Sequence, residues 1–142
     1  MKPVVQEEIS GCGIASVAAL AGVSYARAKA TANQIGIFAE DSRLWSKTTH
    51  IRNLLSQFGI TAERKEHAFL SWERLPDIAL LAVKWHLEHG KPFWHWVVFV
   101  REKDSSYVLD PKKALRSNIR TDFGKMKPKW FIEVYPRRNK QM

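Results

Sequence analysis

Cysteine is nearly missing from this chain of 142 residues, which contains a single one, Cys12. One cysteine excludes a disulfide within the chain and is typical of proteins kept in a reducing compartment. Long apolar runs are missing too, because no segment reaches the roughly 18 residues that a membrane span requires. The first residues, MKPVVQEEISG, have acids and a glycine where a signal peptide requires an unbroken apolar core. These absences predict a cytoplasmic protein without a membrane span.

The chain also lacks linkers and repeats. No stretch is rich in glycine, proline and serine together, and no segment repeats. A content of 45% hydrophobic and 26% charged residues is typical of a folded globular protein. We therefore predict one domain over residues 1–142, with a loose basic tail at residues 136–142.

The positive charge is concentrated near the carboxyl end. The net charge is +9 for the whole chain, and residues 101–142 account for +7 of it. Such a surface can attract nucleic acid or an acidic partner. No nucleic-acid motif accompanies the charge, so the sequence favours a solvated surface and does not indicate a nucleic-acid partner.

The first half of the chain has the periodicity of helices. After Cys12, apolar residues recur every three or four positions until Gly22 (Ile14, Val17, Ala18 and Ala21). A second helix, YARAKATANQI, is expected to begin after an N-cap at Ser24 and to end before Gly36. A third, in SKTTHIRNLLSQFG, is expected to end at Gly59.

The second half of the chain has the composition of strands. IALLAVKWHL is a nearly continuous apolar run, EHGKP is a turn, and FWHWVVFV is rich in aromatic and β-branched residues. YVLDP and KWFIEVYP supply a third and a fourth strand. Helices followed by an antiparallel sheet predict an α+β fold.

Cys12 lies between two glycines at the start of the first helix. A helix N-terminus offers unpaired N–H groups and the positive end of the helix dipole, and both favour the nucleophilic thiolate. The flanking glycines are expected to leave the sulfur open to a substrate. The N–H of Cys12 and the side-chain amide of Gln6 are candidate donors to an oxyanion. The alternative is a small buried hydrophobic residue, the commonest role of a lone cysteine.

A catalytic cysteine needs a base, and the chain has five histidines. We expect His50 and His67 to lie at the surface. His86 and His89 have the spacing of a zinc pair but lack further ligands, so we predict neither a metal nor a cofactor. His95 differs because it is a polar residue within the apolar run FWHWVVFV, where burial of its ring is costly without a hydrogen-bond partner.

A hairpin can bring His95 to a carboxylate. If the chain turns between Lys103 and Asp104, Val97 lies opposite Asp110. His95 then lies diagonally on the same side as Asp110, within reach of its carboxylate. A shift of one residue in the register would place the two on opposite faces. Asp110 can also be read as an ordinary turn residue before a proline.

These residues resemble those of a known family, the bacteriocin-processing peptidases, which are papain-like domains that cut after double-glycine leaders. In that family a glutamine stands six positions before the catalytic cysteine, as in QEEISGCG, and a glycine follows the cysteine. A histidine that opens an apolar strand and a strand that ends in Asp-Pro match HWVVFV and YVLDP. The resemblance covers roughly residues 4–135.

The resemblance implies a papain-like fold in which the helix of the cysteine packs against the sheet of the histidine. It implies that Cys12 is the nucleophile, His95 the general base, Asp110 the residue that orients His95, and Gln6 an oxyanion-hole donor. It also implies a peptide or protein substrate. Well-known members are domains of membrane-bound exporters, and this chain contains neither membrane helices nor a P-loop, so a separate transporter or delivering protein is a candidate partner.

Three other functions are compatible with the same residues. A deamidase or an acyl transferase uses the same groups with another acceptor. A peptide-binding module would hold peptides without cutting them. A binder of nucleic acid or of an acidic partner would use the basic carboxyl-terminal third.

Overall fold

The structure is a computed structural model, and it describes residues 1–136. Three helices come first: α1 (Cys12–Ala21), α2 (Tyr25–Gln34) and α3 (Thr49–Gln57). A 3-10 turn, Ser42–Ser46, precedes α3. Ser24 caps α2 by accepting the Arg27 N–H, as the sequence predicts. Of the predicted loose tail, only Pro136 belongs to the described residues.

Seven strands follow and form one antiparallel sheet. Their bounds are β1 (Thr61–Ala62), β2 (His67–Ala68), β3 (Ile78–Glu88), β4 (Lys91–Glu102), β5 (Ser105–Leu109), β6 (Ile119–Arg120) and β7 (Trp130–Tyr135). The strand order is β1-β7-β3-β4-β5-β6, and β2 also pairs with β7. The four longer strands are those predicted from the sequence. The three strands of two residues were not predicted, because two residues cannot display a period.

Helix α1 lies at the centre of the domain and packs against α2, α3 and β4. The sequence indicates one apolar face, yet every residue from Gly13 to Leu20 is buried. Small side chains such as Ala15, Ser16 and Ala19 allow this close packing on all sides. The start of α1 is therefore held in a fixed position relative to the sheet.

The sheet carries a core on each face. On the face towards the helices, Trp96, Val98 and Val100 of β4 join the main core. On the other face, Val97 and Phe99 join a smaller core. The alternation along β4 places Trp96 on the opposite face of the sheet from Val97 and Phe99. No helix within residues 1–136 is long and apolar enough to cross a membrane.

Candidate active site

Cys12 is the first residue of α1, with Gly11 as the N-cap. Its sulfur accepts a hydrogen bond from the backbone N–H of Trp96, with N and Sγ 3.4 Å apart. This N–H is available because β5 ends at Leu109, and the register of the hairpin places Trp96 opposite Pro111, beyond the last pair. This hydrogen bond ties the sulfur to β4. Nothing in the sequence indicates this donor, since it depends on where the ladder stops.

The two glycines beside Cys12 are needed for packing. A Cβ on Gly11 would collide with the Tyr25 hydroxyl, and a Cβ on Gly13 would lie 2.6 Å from Cζ3 of Trp45. These contacts give the glycines a packing role, and the expectation that they leave the sulfur open to substrate stays a prediction. The space that a Cβ would occupy at each glycine is filled by Tyr25 and Trp45, which hold the start of α1 in place.

The loop before Cys12 is fixed by a charged cluster. The Tyr25 hydroxyl and the Lys29 ammonium both donate to the carboxylate of Glu8. Burial would raise the pKa of Glu8, but Lys29 and Tyr25 outweigh it and lower that pKa. Burial and the Glu8 carboxylate raise the pKa of Tyr25. The carbonyl of Glu8 also accepts the Gly11 N–H at 3.0 Å, which ties this cluster to the N-cap of α1.

His95 and Asp110 are in contact, as the predicted register of the hairpin requires. Val98 pairs with Leu109 and Glu102 with Ser105, which is the register of a turn between residues 103 and 104. His95 donates its Nε2–H to Oδ1 of Asp110 at 2.7 Å. Asp110 engages Nε2 and leaves Nδ1 free of that bond, and Cys12 lies near enough to the ring to raise the pKa of His95.

Asp110 is 1% exposed, and every oxygen of its carboxylate has a partner. Oδ1 also accepts the backbone N–H of Lys112 at 3.1 Å, and Oδ2 accepts from Nη1 of Arg120 at 2.9 Å. Arg120 is in turn held by two hydrogen bonds to Asp122. The bond from the Lys112 N–H is the local contact of a turn residue, and the bonds to His95 and Arg120 go beyond that role. Sequence reasoning missed Arg120, which lies on a strand of two residues and carries no motif.

The charges of this group shift the pKa of each member. Burial would lower the pKa of His95, but its hydrogen bonds to Asp110 and Cys12 and their negative charges raise it to about 9. Burial would raise the pKa of Asp110, yet His95, the Lys112 N–H and Arg120 lower it to about 2. These shifts favour an imidazolium beside a carboxylate near neutral pH, with Cys12 close enough to add to the shift of His95.

Gln6 lies at the site, but its amide nitrogen is engaged. Nε2 donates to the carbonyls of Glu8 at 2.9 Å and Ile9 at 2.7 Å, so both of its N–H groups have acceptors. Oε1 is buried and has no hydrogen-bond partner among residues 1–136. The backbone N–H of Gln6 donates to the carbonyl of Pro111 at 2.9 Å, which fastens this segment beside Asp110. In this arrangement Gln6 shapes the loop and has no free N–H to offer.

The other histidines lie apart from this group. His67, His86 and His89 are exposed, and His50 is half-buried in α3. His67 pairs with Glu63, and His86 pairs with Glu88. Within residues 1–136 no three His, Cys, Asp or Glu side chains are grouped as metal ligands.

One solved structure with a similar fold is the crystal structure of a double glycine motif protease from an AMS/PCAT transporter, in complex with the leader peptide. The TM-score is 0.62 over 96% of this chain and 91% of that chain, at 18% sequence identity. No model of a known protein family matches the sequence, and no curated protein matches it significantly. The likeness is one of fold. Helices packed on an open antiparallel sheet form an α+β arrangement compatible with the papain-like fold of that neighbour.

Proposed function

We propose that this chain is a cysteine peptidase that cleaves a peptide bond with Cys12, His95 and Asp110. One observation carries the proposal: residues from the start of α1, from β4 and from the end of β5 meet as sulfur, imidazole and carboxylate. That combination provides a nucleophile, an acid-base group and an orienting group. The description of the solved neighbour as a protease in complex with a peptide supports the choice of a peptide substrate.

The reaction begins when the sulfur of Cys12 attacks the carbonyl carbon of a peptide bond. The carbonyl π electrons move to oxygen and form a tetrahedral oxyanion. The oxyanion then collapses, the C–N bond breaks, and His95 gives its Nδ1 proton to the leaving amine. Water attacks the resulting thioester, His95 takes its proton, and the acid product leaves with Cys12 restored.

The oxyanion needs donors, and the backbone N–H of Cys12 is the first of them. It belongs to the first turn of α1, where N–H groups have no partner within the helix. Gln6 is the second donor in this proposal. It lies beside the site, and one of its two N–H groups has to leave a loop carbonyl when the substrate oxygen arrives.

Replacing Gln6 by alanine is expected to lower kcat about tenfold, because one donor is lost while the Cys12 N–H remains. The carbonyls of Glu8 and Ile9 also lose their donor, so the melting temperature is expected to fall by a few degrees. Both quantities are measured on the same preparation. Gln57→Ala, which replaces an exposed glutamine at the end of α3, is the matched control. An unchanged kcat with a lowered melting temperature would show that Gln6 only holds the loop.

The proposed function is tested first by the reactivity of the thiol. Iodoacetamide reacts with thiolate, and Cys12 is the single cysteine, so the alkylation rate reports on Cys12 alone. At pH 7 we expect His95→Ala to slow alkylation about tenfold, since the imidazolium that stabilises the thiolate is gone. His67→Ala, an exposed histidine outside the site, is expected to react at the rate of the unmodified protein. A slow reaction that is the same in all three proteins would contradict the proposal.

A further inference from the structure

The open side of His95 faces a cleft that is rich in lysine. The cleft has a volume of about 280 Å³ and contains His95 at one wall. Lys84, Lys112 and Lys113 line it together with Gln6 and Ile9. We refer to this space as the lysine cleft. None of these lysines belongs to the group formed by Cys12, His95 and Asp110.

A β-bulge places Lys84 in the cleft. Val83 of β3 pairs with His95 of β4, but His86 pairs with Phe93, so β3 has one more residue than β4 across this step. The extra residue directs the side chain of Lys84 out of the regular alternation and towards the cleft. Lys84 thus follows directly after the residue that pairs with His95, at the point where the ladder is interrupted.

The backbone at Lys84 has a conformation that side chains rarely adopt. Its φ is 55°, in the left-handed region that favours glycine. The other two non-glycine residues with positive φ within the described chain, His89 and Lys103, lie in the tight turns that flank β4. Lys84 lies within a strand. Strained residues of this kind are concentrated at functional sites, which makes the side chain of Lys84 a candidate for a role in binding.

The lysines of the cleft lack carboxylate partners. Within residues 1–136, no carboxylate lies within ion-pair distance of Lys84, Lys112 or Lys113. Burial and the nearby charge of Lys112 lower the pKa of Lys84, which shows that the two ammonium groups act on each other. Two cations held together without an anion form an arrangement that a bound anion would stabilise.

The acidic residues near the cleft do not cancel this charge. The carboxylate of Glu8 accepts hydrogen bonds from Tyr25 and Lys29. The carboxylate of Asp110 accepts hydrogen bonds from His95 and Arg120. Glu7 also lines the cleft, and among residues 1–136 it is the carboxylate there that has no such hydrogen bonds. Three lysines against Glu7 leave the cleft positive.

We propose that the lysine cleft binds a carboxylate of the peptide substrate close to the scissile bond, which makes this chain selective for acidic peptides. The inference rests on the proposed function, since it concerns the substrate of the same site. Ile9, which is 99% exposed at the rim of the cleft, offers an apolar contact to the adjoining part of the peptide. The carboxylate is supplied either by an aspartate or glutamate side chain or by the free carboxyl end of the peptide.

Two small reagents test the cleft without knowledge of the substrate. Iodoacetate and iodoacetamide form the same bond to the sulfur of Cys12 and release iodide, but only iodoacetate carries a carboxylate. The ratio of their rates cancels general changes in thiol reactivity and reports on recognition of the carboxylate. We expect Lys84→Gln and Lys112→Gln each to lower this ratio about three- to fivefold, because each removes one nearby positive charge. Lys84→Arg is expected to restore most of it.

The matched control is Lys65→Gln, which removes the same charge from the loop between β1 and β2, at the opposite edge of the sheet from β6. It is expected to leave the ratio unchanged. If Cys12 reacts rapidly with iodoacetamide but Lys84→Gln and Lys112→Gln keep the original ratio, the lysine cleft does not bind carboxylates, and the peptidase proposal stands. If Cys12 is inert to both reagents, the proposed function fails and the inference fails with it.

Internally quenched peptides then identify the source of the carboxylate. One set compares Asp and Glu with Asn and Gln at each position around the cleaved bond, and the other compares a free carboxyl end with a carboxamide. Preference for acidic side chains, lost in Lys84→Gln, assigns the cleft to a side chain. Preference for the free carboxyl end, lost in the same variant, assigns it to the terminus. Equal cleavage of all pairs by the unmodified protein overturns the inference.

Discussion

Cys12→Ala is expected to lower the turnover of any cleaved peptide by about four orders of magnitude or more, because the covalent route is lost with the sulfur. Its effect should exceed that of every other single replacement. Cys12 is half-buried and packs at the edge of the main core, so alanine removes little apolar contact. We therefore expect the melting temperature to change by only a few degrees. The measurement is the initial rate of cleavage of a peptide library, followed by mass spectrometry.

A second variant separates loss of chemistry from loss of structure. Cys12→Ser keeps a small side chain with one hydroxyl, but a hydroxyl loses its proton far less readily than a thiol and forms no thioester. It is expected to be as inactive as Cys12→Ala while still binding peptides. A brief reaction of the unmodified protein should leave an acyl group on Cys12, visible as added mass that hydroxylamine removes. Cleavage by Cys12→Ala at the original rate would exclude the proposed mechanism.

The main elements could be predicted because each carries a local pattern. The three helices have apolar residues at helical spacing and end at Gly22, Gly36 and Gly59, and all three glycines adopt positive φ. The four longer strands are apolar and aromatic. The contact of His95 with Asp110 was predictable for a related reason, since a two-residue turn determines the register of the whole hairpin.

Features that depend on distant contacts could not be read from the sequence. Gly11 and Gly13 are required by Tyr25 and Trp45, which lie 14 and 32 residues further along the chain. The bulge at Lys84 arises from the match between β3 and β4, which local composition does not encode. Tertiary packing decides such positions, and a single sequence contains no record of it.

The case of Gln6 shows the limit for the site itself. Its position six residues before Cys12 predicts that it lies near the sulfur, and the structure places it next to Pro111 and in the same cleft as His95. Which atoms its amide contacts depends on the path of the loop, and here the loop presents two carbonyls to Nε2. Sequence spacing can therefore predict which residues meet, while the hydrogen bonds that they form follow from the backbone between them.

Asp110→Asn is expected to move the alkaline limit of activity to lower pH. In the unmodified protein, burial opposes the charge of His95, but Asp110 and Cys12 raise its pKa to about 9. Without the Asp110 charge, the pKa of His95 falls towards the ordinary value of about 6.5. The imidazolium is needed to protonate the leaving amine, so kcat/KM is expected to drop about thirtyfold at pH 8 and less than about twofold at pH 6. The measurement is kcat/KM from pH 5 to pH 10.

Asp122→Asn is the matched control, because it changes another carboxylate that binds Arg120 but does not contact His95. Its alkaline limit is expected to stay near pH 9. Both variants weaken the binding of Arg120, but only Asp110→Asn removes a negative charge beside His95. Comparing the two therefore separates the effect of the Asp110 charge from the effect of fixing Arg120. An Asp110→Asn profile that falls by the same factor at every pH would contradict the electrostatic role, because a lowered pKa of His95 must make that factor grow as the pH rises from about 6 to about 9. A uniform decrease would instead mean that Asp110 acts by holding the His95 ring in place.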